Sequence, residues 1–374
     1  MKVALVHDYL TQYGGGERVL EAFTKIWPQA PIYTLIYDAQ KTGHAFVGKK
    51  IYTSFLQKWP LSKSHHRLFS ALMPLGIEQF DFAGYDVVLS DSASYAKGVI
   101  TRPDTLHLCY CHTPIRYAWD DSHRYIKNFG YNWLVRALVP PLINYIRLWD
   151  EAAAQRPDHY AANSHYVARR IKKYYRQEAL VINPPIKTDV FRSNNGQQDY
   201  FLAVGRFLPY KRFDLVIAAF NSLGLPLKII GSGPQARYLR QMARPNIEFV
   251  GLVSDQRLRD YYAGCRALIF PQEEDFGIVA CEAMAAGRPV VAYRAGGALE
   301  IIQEGRTGVF FDRQETDSLV AAVKKCRQIN FDRHYIRQQV LGLDEKVFQA
   351  KIKNWVEEKY QEFKANRLRP TSQT

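Results

Sequence analysis

The chain contains 374 residues, of which 47% are hydrophobic and 23% are charged. This size exceeds that of a typical single domain, so we predict two globular domains with ordinary hydrophobic cores. Lys and Arg outnumber Asp and Glu by 50 to 36, and the resulting net charge of +14 favours anionic partners.

In the first half of the chain, short apolar strands alternate with amphipathic helices, a pattern typical of an α/β domain. The predicted strands are Val3–Asp8, Ile32–Tyr37, Val87–Ser90, Leu106–Cys111, His159–Ala162 and Leu180–Asn183. The predicted helices lie near 16–26, 64–73, 132–155 and 164–174. A pair of prolines and the polar stretch 192–199 follow, which predict a linker because these residues cannot form a core.

The same alternation restarts at Tyr200 and continues almost to the last residue. The predicted strands are Tyr200–Val204, Pro226–Ile230, Ile247–Val250, Ala267–Phe270, Val290–Tyr293 and Gly308–Phe311. The predicted helices are Phe213–Ser222, Gln235–Met242, Asp255–Ala263, Ile278–Ala286, Asp317–Gln328 and Glu345–Asn366.

Near-continuous apolar strands between helices indicate parallel sheets that are covered by helices on both faces. We therefore predict an α/β protein of two doubly wound, Rossmann-like domains, with ligands bound at the carboxyl ends of their strands in a cleft between them. The first domain is predicted at 1–190 and the second at 191–345. The final segment, 346–374, is expected to form a helix that packs back across the domains.

The most specific pattern is the strand, turn, helix and strand of 271–292. Glu282 lies in the apolar part of that helix, where an unpaired carboxylate costs on the order of several kcal/mol. Two ribose hydroxyls would satisfy it, and an internal ion pair is the alternative. Glu274 precedes the helix, near the backbone N–H groups of Phe276 and Gly277, where hydrogen-bond acceptors are favoured. An inert helix-terminal charge is the alternative for Glu274.

A second pattern is the basic loop 204–212, which follows a predicted strand. Arg206 and Lys211 combine a planar guanidinium with a compact ammonium group, and together they suit a diphosphate leaving group. The alternative is an ordinary basic surface loop.

Two further patterns follow strands of the first half. The loop Gly14-Gly15-Gly16 opens a helix, and glycine allows a phosphate to approach the N–H groups there. A flexible turn is the alternative. His112 follows the strand Leu106–Cys111 at a predicted ligand-binding edge, although a structural histidine remains the alternative.

Residues 227–236 fit the dinucleotide fingerprint G-x-G-x-x-A, with Gly231 and Gly233 after a strand. The acidic residue that should end the next strand is poorly placed, because Glu248 lies in mid-strand. An NAD-dependent oxidoreductase therefore stays as an alternative function. Net charge alone supports nucleic-acid binding, and no module pattern accompanies it.

Taken together, these motifs resemble the family 4 retaining glycosyltransferases of the GT-B fold over essentially the whole chain. The Gly-rich loop, Arg-x4-Lys, Gly-x-Gly-Pro and Glu-x7-Glu occur in the family's order. The stretches 7–19 and 112–117 are similar to the branch of bacterial O-antigen mannosyltransferases. That branch implies GDP-mannose as donor and a lipid-linked glycan acceptor in surface polysaccharide assembly, and a UDP-sugar enzyme of the same fold is the alternative.

The resemblance also implies a role for each motif residue. Arg206 and Lys211 would bind the diphosphate, Glu282 the ribose, and Glu274 with the backbone of Phe276 and Gly277 the sugar hydroxyls. The further donor-binding positions are Gly15, Gly16, Gly231 and Gly233, and His112 would lie near C6 of the sugar. We expect Arg116, Tyr117 and Asp120 on the acceptor side. The family requires no metal, and the sequence lacks an Asp-x-Asp triplet.

The sequence also suggests a location. No apolar run reaches about 18 residues, and the first residues predict a strand rather than a signal peptide. Five cysteines in mostly apolar segments predict reduced thiols in the cytoplasm. Segments 39–77 and 122–149 combine basic and large apolar residues without any Asp or Glu, which suits peripheral contact with an anionic membrane. A solvated face or a subunit interface is the alternative.

Overall fold

The structure of the chain is a computed structural model that describes residues 1–120, 133–191 and 198–368. These residues form two compact units. The first unit comprises Met1–Pro184 and Phe348–Thr374, and the second comprises Pro185–Val347. Most of the predicted linker 192–199, and part of the basic segment 122–149, lie outside the described residues.

The first unit contains a seven-stranded sheet in which neighbouring strands are parallel. Its strands are β1 (Val3–His7), β2 (Ile32–Thr34), β3 (Ile51–Thr53), β4 (Val87–Ser92), β5 (Leu106–Cys111), β6 (His159–Ala162) and β7 (Ala179–Val181). They lie in the order β3-β2-β1-β4-β5-β6-β7. The edge strand β3 was not predicted, because its three partly exposed residues are too few to form an apolar run.

The helices of this unit are α1 (Gly15–Ile26), α2 (Ser62–His65), α3 (Met73–Glu78), α4 (Trp133–Ala153) and α5 (His165–Tyr175). Short 3-10 turns occupy Phe55–Lys58, His66–Phe69 and Ala96–Gly98. The single helix predicted at 64–73 is wrong, because the chain forms α2 and a 3-10 turn there. Pro74 lies in the first turn of α3 and favours a new helix start, since proline lacks an N–H group.

The second unit contains a six-stranded parallel sheet in the order β10-β9-β8-β11-β12-β13. Its strands are β8 (Phe201–Val204), β9 (Leu227–Ile230), β10 (Ile247–Gly251), β11 (Leu268–Phe270), β12 (Val290–Tyr293) and β13 (Gly308–Phe311). Its helices are α6 (Phe213–Leu223), α7 (Ala236–Met242), α8 (Asp255–Gly264), α9 (Ile278–Ala285), α10 (Ala298–Ile301), α11 (Thr316–Gln328) and α12 (Arg333–Gln338). The short helices α10 and α12 were not predicted, because they are too brief to show helical periodicity.

The final helix, α13 (Glu345–Leu368), completes the core of the first unit. Phe348, Ile352 and Trp355 are buried in that core. The ring of Phe348 stacks on Phe23 of α1, with 5.9 Å between the ring centroids. This helix is therefore part of the structure of the N-terminal unit.

The chain passes into the second unit after Pro184, earlier than the boundary predicted at 190. The N–H group of Ile186 donates to the carbonyl of Leu343 at 2.9 Å. The guanidinium of Arg337 donates to the carbonyl of Thr188 at 3.0 Å. These bonds join residues that are far apart in the chain, so the local sequence pattern does not reveal them.

In each sheet the strand order reverses at one point, between β1 and β4 in the first unit and between β8 and β11 in the second. Doubly wound sheets bind their ligands at this switch point, beyond the carboxyl ends of the strands. The loops that carry most of the predicted site residues follow these four strands and β5.

Candidate functional site

In the second unit, the loops after β8 and β11 contact each other at the switch point. Lys211, in the short 3-10 turn Pro209–Lys211, donates a hydrogen bond to the carboxylate of Glu274. The amide of Gln272 donates to the same oxygen at 3.1 Å. The side chains of Lys211 and Glu274 are only 13% and 19% exposed, so water screens this ion pair weakly. The structure thus joins two residues that the sequence placed in separate motifs.

Arg206 lies on the same loop as Lys211, and its side chain is exposed. The guanidinium offers a planar fork of donors, while the largely buried ammonium of Lys211 acts as a compact charge. This combination is suited to a diphosphate.

Gly231 and Gly233 pack against the same loop. Their φ angles are +144° and +157°, in the region that favours glycine. A Cβ on Gly231 would lie 1.9 Å from the carbonyl oxygen of Gly205, and one on Gly233 would lie 2.7 Å from the nitrogen of Phe207. Gly205 and Phe207 flank Arg206 in the sequence. The two glycines therefore hold the backbone that carries Arg206, which explains the Gly-x-Gly pattern without a bound dinucleotide.

A second glycine pair supports the backbone of the Glu274 loop. The N–H group of Gly297 donates to the carbonyl of Glu274 at 2.8 Å. A Cβ on Gly296 would lie 2.3 Å from that carbonyl oxygen, and one on Gly297 would lie 2.5 Å from Cα of Phe276. This pair was not predicted from the sequence. The available signal was a Gly-Gly dipeptide shortly after a predicted strand, the same signal that drew attention to the loop at 14–16.

Glu282 lies in α9, and only 3% of it is exposed. The hydroxyl of Tyr262, from α8, donates to one of its carboxylate oxygens at 2.9 Å. The donor that a buried carboxylate requires is therefore present within the unit. A carboxylate accepts several hydrogen bonds, so this contact is compatible with further donors from a ligand.

In the first unit, three side chains at neighbouring strand ends form a buried network. His7 ends β1, Asp91 lies near the end of β4, and His112 follows β5. Nδ1 of His7 lies 2.8 Å from Oδ2 of Asp91. Nε2 of His112 lies 2.6 Å from Oδ1 of Asp91. Asp91 is completely buried, whereas 13% of the His112 side chain is exposed.

The predicted glycine loop adjoins this network. The carboxylate of Glu17 accepts a hydrogen bond of 2.8 Å from the N–H group of Gly14, at the start of α1. The other oxygen of Glu17 lies 4.0 Å from Nε2 of His7. A Cβ on Gly16 would lie 3.5 Å from Nε2 of His112. The structure therefore brings His112 and the glycine loop together, as the switch point requires.

The network shifts the pKa of each member. Burial lowers the pKa of His7, but hydrogen bonds and charges from Asp91 and Glu17 outweigh burial and raise it to about 10. Burial also lowers the pKa of His112, and the charge of Asp91 reverses this, so the net shift is upward. For Asp91 and Glu17, burial raises the pKa, but the imidazoles prevail and both values fall below their usual range. The network therefore favours protonated imidazoles beside ionised carboxylates.

The network is ionic rather than metal-binding in its geometry. Within 1–120, 133–191 and 198–368, no group of three His, Cys, Asp or Glu side chains is arranged to hold a metal ion. The five cysteines are free and buried.

The predicted acceptor-side residues are held by the first unit itself. Asp120 forms an ion pair with Arg170 and accepts a hydrogen bond from Tyr174, both on α5. The hydroxyl of Tyr117 lies 2.7 Å from the hydroxyl of Tyr95. Arg116 is partly exposed on the same loop. These contacts anchor the loop that follows His112, and its role in acceptor binding stays a prediction.

The sequence did not predict three members of the network, namely His7, Asp91 and Glu17. The available signal was a polar residue at the end of an apolar strand, as in Leu89-Ser90-Asp91. Nothing in the local sequence shows that the end of β1 adjoins the end of β4.

Comparison with known proteins gives a family match for one part of the chain. Residues 186–340 match the family model described as "Glycosyl transferases group 1". This range contains the Arg206, Lys211, Glu274 and Glu282 side chains of the second-unit site.

Curated relatives carry related names. An uncharacterized glycosyltransferase of Methanocaldococcus jannaschii is 28% identical over 178 residues, 46% of this chain and 50% of that protein. A GDP-mannose-dependent alpha-(1-6)-phosphatidylinositol monomannoside mannosyltransferase of Mycobacterium tuberculosis is 29% identical over 37% of this chain and 44% of that protein. O-antigen chain mannosyltransferase C of Escherichia coli is 26% identical over 44% of this chain and 49% of that protein. The chain thus spans about half the length of these relatives, or less.

Solved structures match nearly the whole chain. Anabaena HepE in complex with UDP and glucose gives a TM-score of 0.68 at 17% identity, covering 96% of this chain and 99% of that one. Sucrose-phosphate synthase of Thermosynechococcus elongatus gives a TM-score of 0.69 at 15% identity, covering 96% of this chain and 100% of that one. The fold is GT-B. The predicted architecture of two Rossmann-like domains is confirmed.

The position of the dinucleotide-like motif weakens the oxidoreductase alternative. Gly231 and Gly233 follow β9, which lies next to the edge strand β10 and away from the switch point between β8 and β11. In a dinucleotide-binding sheet the fingerprint lies on the first βα turn, at the crevice where the strand order reverses.

Proposed function

We propose that the protein is a retaining glycosyltransferase that transfers a hexose from a nucleotide-diphosphate sugar. The observation that carries this proposal is the contact between Lys211 and Glu274 at the switch point of the second unit. A cation suited to the leaving diphosphate lies against a carboxylate suited to the hydroxyls of the sugar.

In this proposal, different residues of the second unit bind different parts of the sugar donor. Arg206 and Lys211 bind the diphosphate, and Glu282 binds the ribose. Glu274 holds the sugar hydroxyls together with the backbone of Phe276 and Gly277. Gly231 and Gly233 support the Arg206 loop from behind, so their contribution to donor binding is through the position of the backbone.

In the first unit we assign Gly15 and Gly16 to the phosphates and His112 to the transferred sugar. Arg116, Tyr117 and Asp120 are assigned to the acceptor. The assignment of His112 rests on the network at the strand ends and on its exposed fraction. The other assignments rest on the family resemblance of these motifs.

The chemistry follows from where charge develops. As the nucleoside diphosphate departs, negative charge grows on its phosphate and positive charge on the anomeric carbon. Donors already aimed at the phosphate stabilise that state most strongly. We propose that Arg206, Lys211 and amide dipoles supply this stabilisation and that no metal ion is needed. With no carboxylate assigned as a nucleophile, the leaving phosphate accepts the proton of the acceptor hydroxyl in a front-face substitution.

The donor that we favour is GDP-mannose. Relatives named as GDP-mannose-dependent or O-antigen mannosyltransferases match this chain at 29% and 26% identity. The alternative is a UDP-sugar, and it is favoured by a specific observation. The solved structure of HepE, which has the same fold, contains UDP and glucose.

The acceptor that we propose is a lipid-linked glycan in bacterial surface polysaccharide assembly, reached at the cytoplasmic face of the membrane. Between residues 59 and 75 four large apolar side chains are at least 42% exposed, namely Trp59, Leu61, Leu68 and Leu75. Exposed Lys58 directly precedes Trp59, and exposed Lys63 lies between Leu61 and Leu68. This mixture suits shallow contact with an anionic bilayer. No helix in the described ranges is both long and apolar enough to cross one.

The decisive experiment incubates the purified chain with GDP-mannose or a UDP-hexose and a lipid-linked acceptor, with and without EDTA. We expect transfer from one donor, unaffected by EDTA, and a product whose anomeric configuration matches the donor by NMR. An inverted product would refute the retaining mechanism, and EDTA inhibition would refute metal independence. If neither donor binds in a thermal-shift assay while NAD does, the oxidoreductase alternative replaces the proposal.

A further inference from the structure

The network of His7, Asp91, His112 and Glu17 holds more charge than this part of the fold requires. His7 and Asp91 are already register partners in the parallel pairing of β1 and β4. Replacing buried ion pairs by apolar residues is often neutral or stabilising for a fold. Charges retained at the switch point, where ligands bind, therefore indicate a use beyond stability.

The geometry fixes Asp91 from two sides. One of its oxygens contacts His7 at 2.8 Å and the other contacts His112 at 2.6 Å. His7 is held in turn by Glu17, 4.0 Å from its second nitrogen, and Glu17 is held by the backbone of Gly14. Asp91 cannot rotate without breaking contacts to both rings.

Hydrogen bonds also fix the backbone of His112. Its backbone N–H group donates to the carbonyl of Ser92 at 2.8 Å, and its carbonyl accepts a hydrogen bond of 2.9 Å from Asn163. Its ring forms a T-shaped pair with that of Tyr110, with 5.3 Å between the ring centroids. Because Nε2 faces Asp91, Nδ1 is the ring nitrogen that remains to contact a ligand.

We propose that Asp91 is a positioning residue that keeps His112 oriented and doubly protonated, with His7 and Glu17 holding Asp91 in place. Nδ1–H of His112 then donates a hydrogen bond to an oxygen of the bound sugar donor. This inference rests on the glycosyltransferase function proposed above. It makes His112 a hydrogen-bond donor throughout the reaction and excludes it as a general base.

The surrounding charges support this state. The groups that act electrostatically on His112 are Asp91, His7 and Cys111. Asp91 raises the pKa of His112 against the effects of burial and of His7. The protonated ring is therefore present below that raised pKa and is lost as the pH rises through it. Without the charge of Asp91, burial prevails and lowers the pKa of His112.

The test is NMR of the full chain with 15N-labelled histidine, with the His112 signals assigned by their loss in His112→Gln. We expect Asp91→Asn to lower the titration midpoint of His112 by about one pH unit or more. We also expect this variant to have a lower kcat and a higher KM for the sugar donor than the wild type at a pH of about 8, and both to recover as the pH is lowered to about 6. A purely structural role would give a pH-independent loss.

His107→Gln is the matched control. His107 is also a buried histidine of β5, but it bonds to Ser90 at 2.9 Å, and burial lowers its pKa to about 3, so it is neutral. This substitution should leave the midpoint of His112 unchanged. If Asp91→Asn does not fold, the double variant His7→Gln/Asp91→Asn removes one charge of each sign and permits the same measurement.

Two outcomes would overturn the inference, namely an unchanged His112 midpoint in the folded Asp91 variant, or a variant kcat that does not depend on pH. The NMR midpoint needs no substrate. A failure to turn over any nucleotide sugar therefore refutes the proposed function separately from the positioning role.

Discussion

The hydroxyl of Tyr262 donates a hydrogen bond of 2.9 Å to Glu282, and both side chains are buried. The rings of Tyr262 and Phe191 form a T-shaped pair, with 5.5 Å between their centroids. The tyrosine is thus fixed by packing, and its hydroxyl orients the carboxylate that we assign to the ribose.

Tyr262→Phe should weaken nucleotide binding, because Glu282 loses the donor that orients it. A hydrogen bond to a charged group contributes about 1.5–3 kcal/mol, and we expect part of this, a rise of roughly three- to tenfold in Kd for the nucleoside diphosphate. Isothermal titration calorimetry measures the change. Tyr261→Phe, at the neighbouring position on α8, is the control and should bind normally. If both variants bound the nucleoside diphosphate with equal affinity, Tyr262 would have no role in nucleotide binding.

Lys211→Ala should slow turnover about ten- to a hundredfold, because one charge-assisted bond to the departing diphosphate is lost. Arg206→Ala should have a similar effect. The control is Lys228→Ala, which removes another lysine of the second unit that is paired with a glutamate, 2.7 Å from Glu248. Steady-state kinetics with circular dichroism separates catalysis from folding. Full activity of both Lys211→Ala and Arg206→Ala would refute the diphosphate assignment.

Gly231→Ala should destabilise the second unit, because the new Cβ would lie 1.9 Å from the carbonyl oxygen of Gly205. The loop must shift, and we expect a loss of about 2 kcal/mol or more in the free energy of unfolding. Gly224→Ala is the control, since its φ is +67° and no atom lies within 4 Å of its added Cβ. It should lose only about 1 kcal/mol from backbone strain. Similar denaturation midpoints for the two variants would contradict the packing argument.

A buried ion pair in the first unit allows a separate test of stability. Lys97 and Asp150 are fully buried and paired, and Asp150 also accepts hydrogen bonds from Trp119 at 2.8 Å and Tyr175 at 2.7 Å. Asp150→Ala leaves the ammonium of Lys97 buried without its carboxylate, which typically costs about 3–5 kcal/mol.

Thermal unfolding should therefore show a much lower Tm for Asp150→Ala. Removing both charges with Lys97→Met/Asp150→Leu should be less harmful, because no unpaired charge remains. Glu178→Ala, which breaks the exposed pair with Lys172, should change stability by no more than about 1 kcal/mol. If the single and double variants at the buried pair lost equal stability, charge pairing would not explain the effect.

The sequence predicted the strands and helices of the second unit well, because apolar strands such as Val290–Tyr293 alternate there with long amphipathic helices. It predicted less between residues 51 and 78, where elements of three to six residues carry too little periodicity. The unit boundary also depends on a distant bond, from Ile186 to Leu343.

The same limit, that local patterns do not reveal contacts between distant residues, explains which features of the candidate site were predicted. Arg206, Lys211, Glu274 and Glu282 were found because each lies in a contiguous motif. Their contacts were not predictable. The sequence required a donor for the buried carboxylate of Glu282 but did not identify Tyr262, which approaches from another helix. For the network around Asp91, residues 84 and 21 positions apart must meet, and only the strand order brings them together.

The place of α13 has a consequence for how the chain acquires its structure. The polypeptide leaves the N-terminal fold after Pro184 and rejoins it at Phe348, so the second unit is an insertion within the first. During synthesis, the early sheet is made long before the helix that covers part of its core. The inserted unit, in contrast, is contiguous, so all the residues of its core are synthesised before Phe348 returns the chain to the first unit.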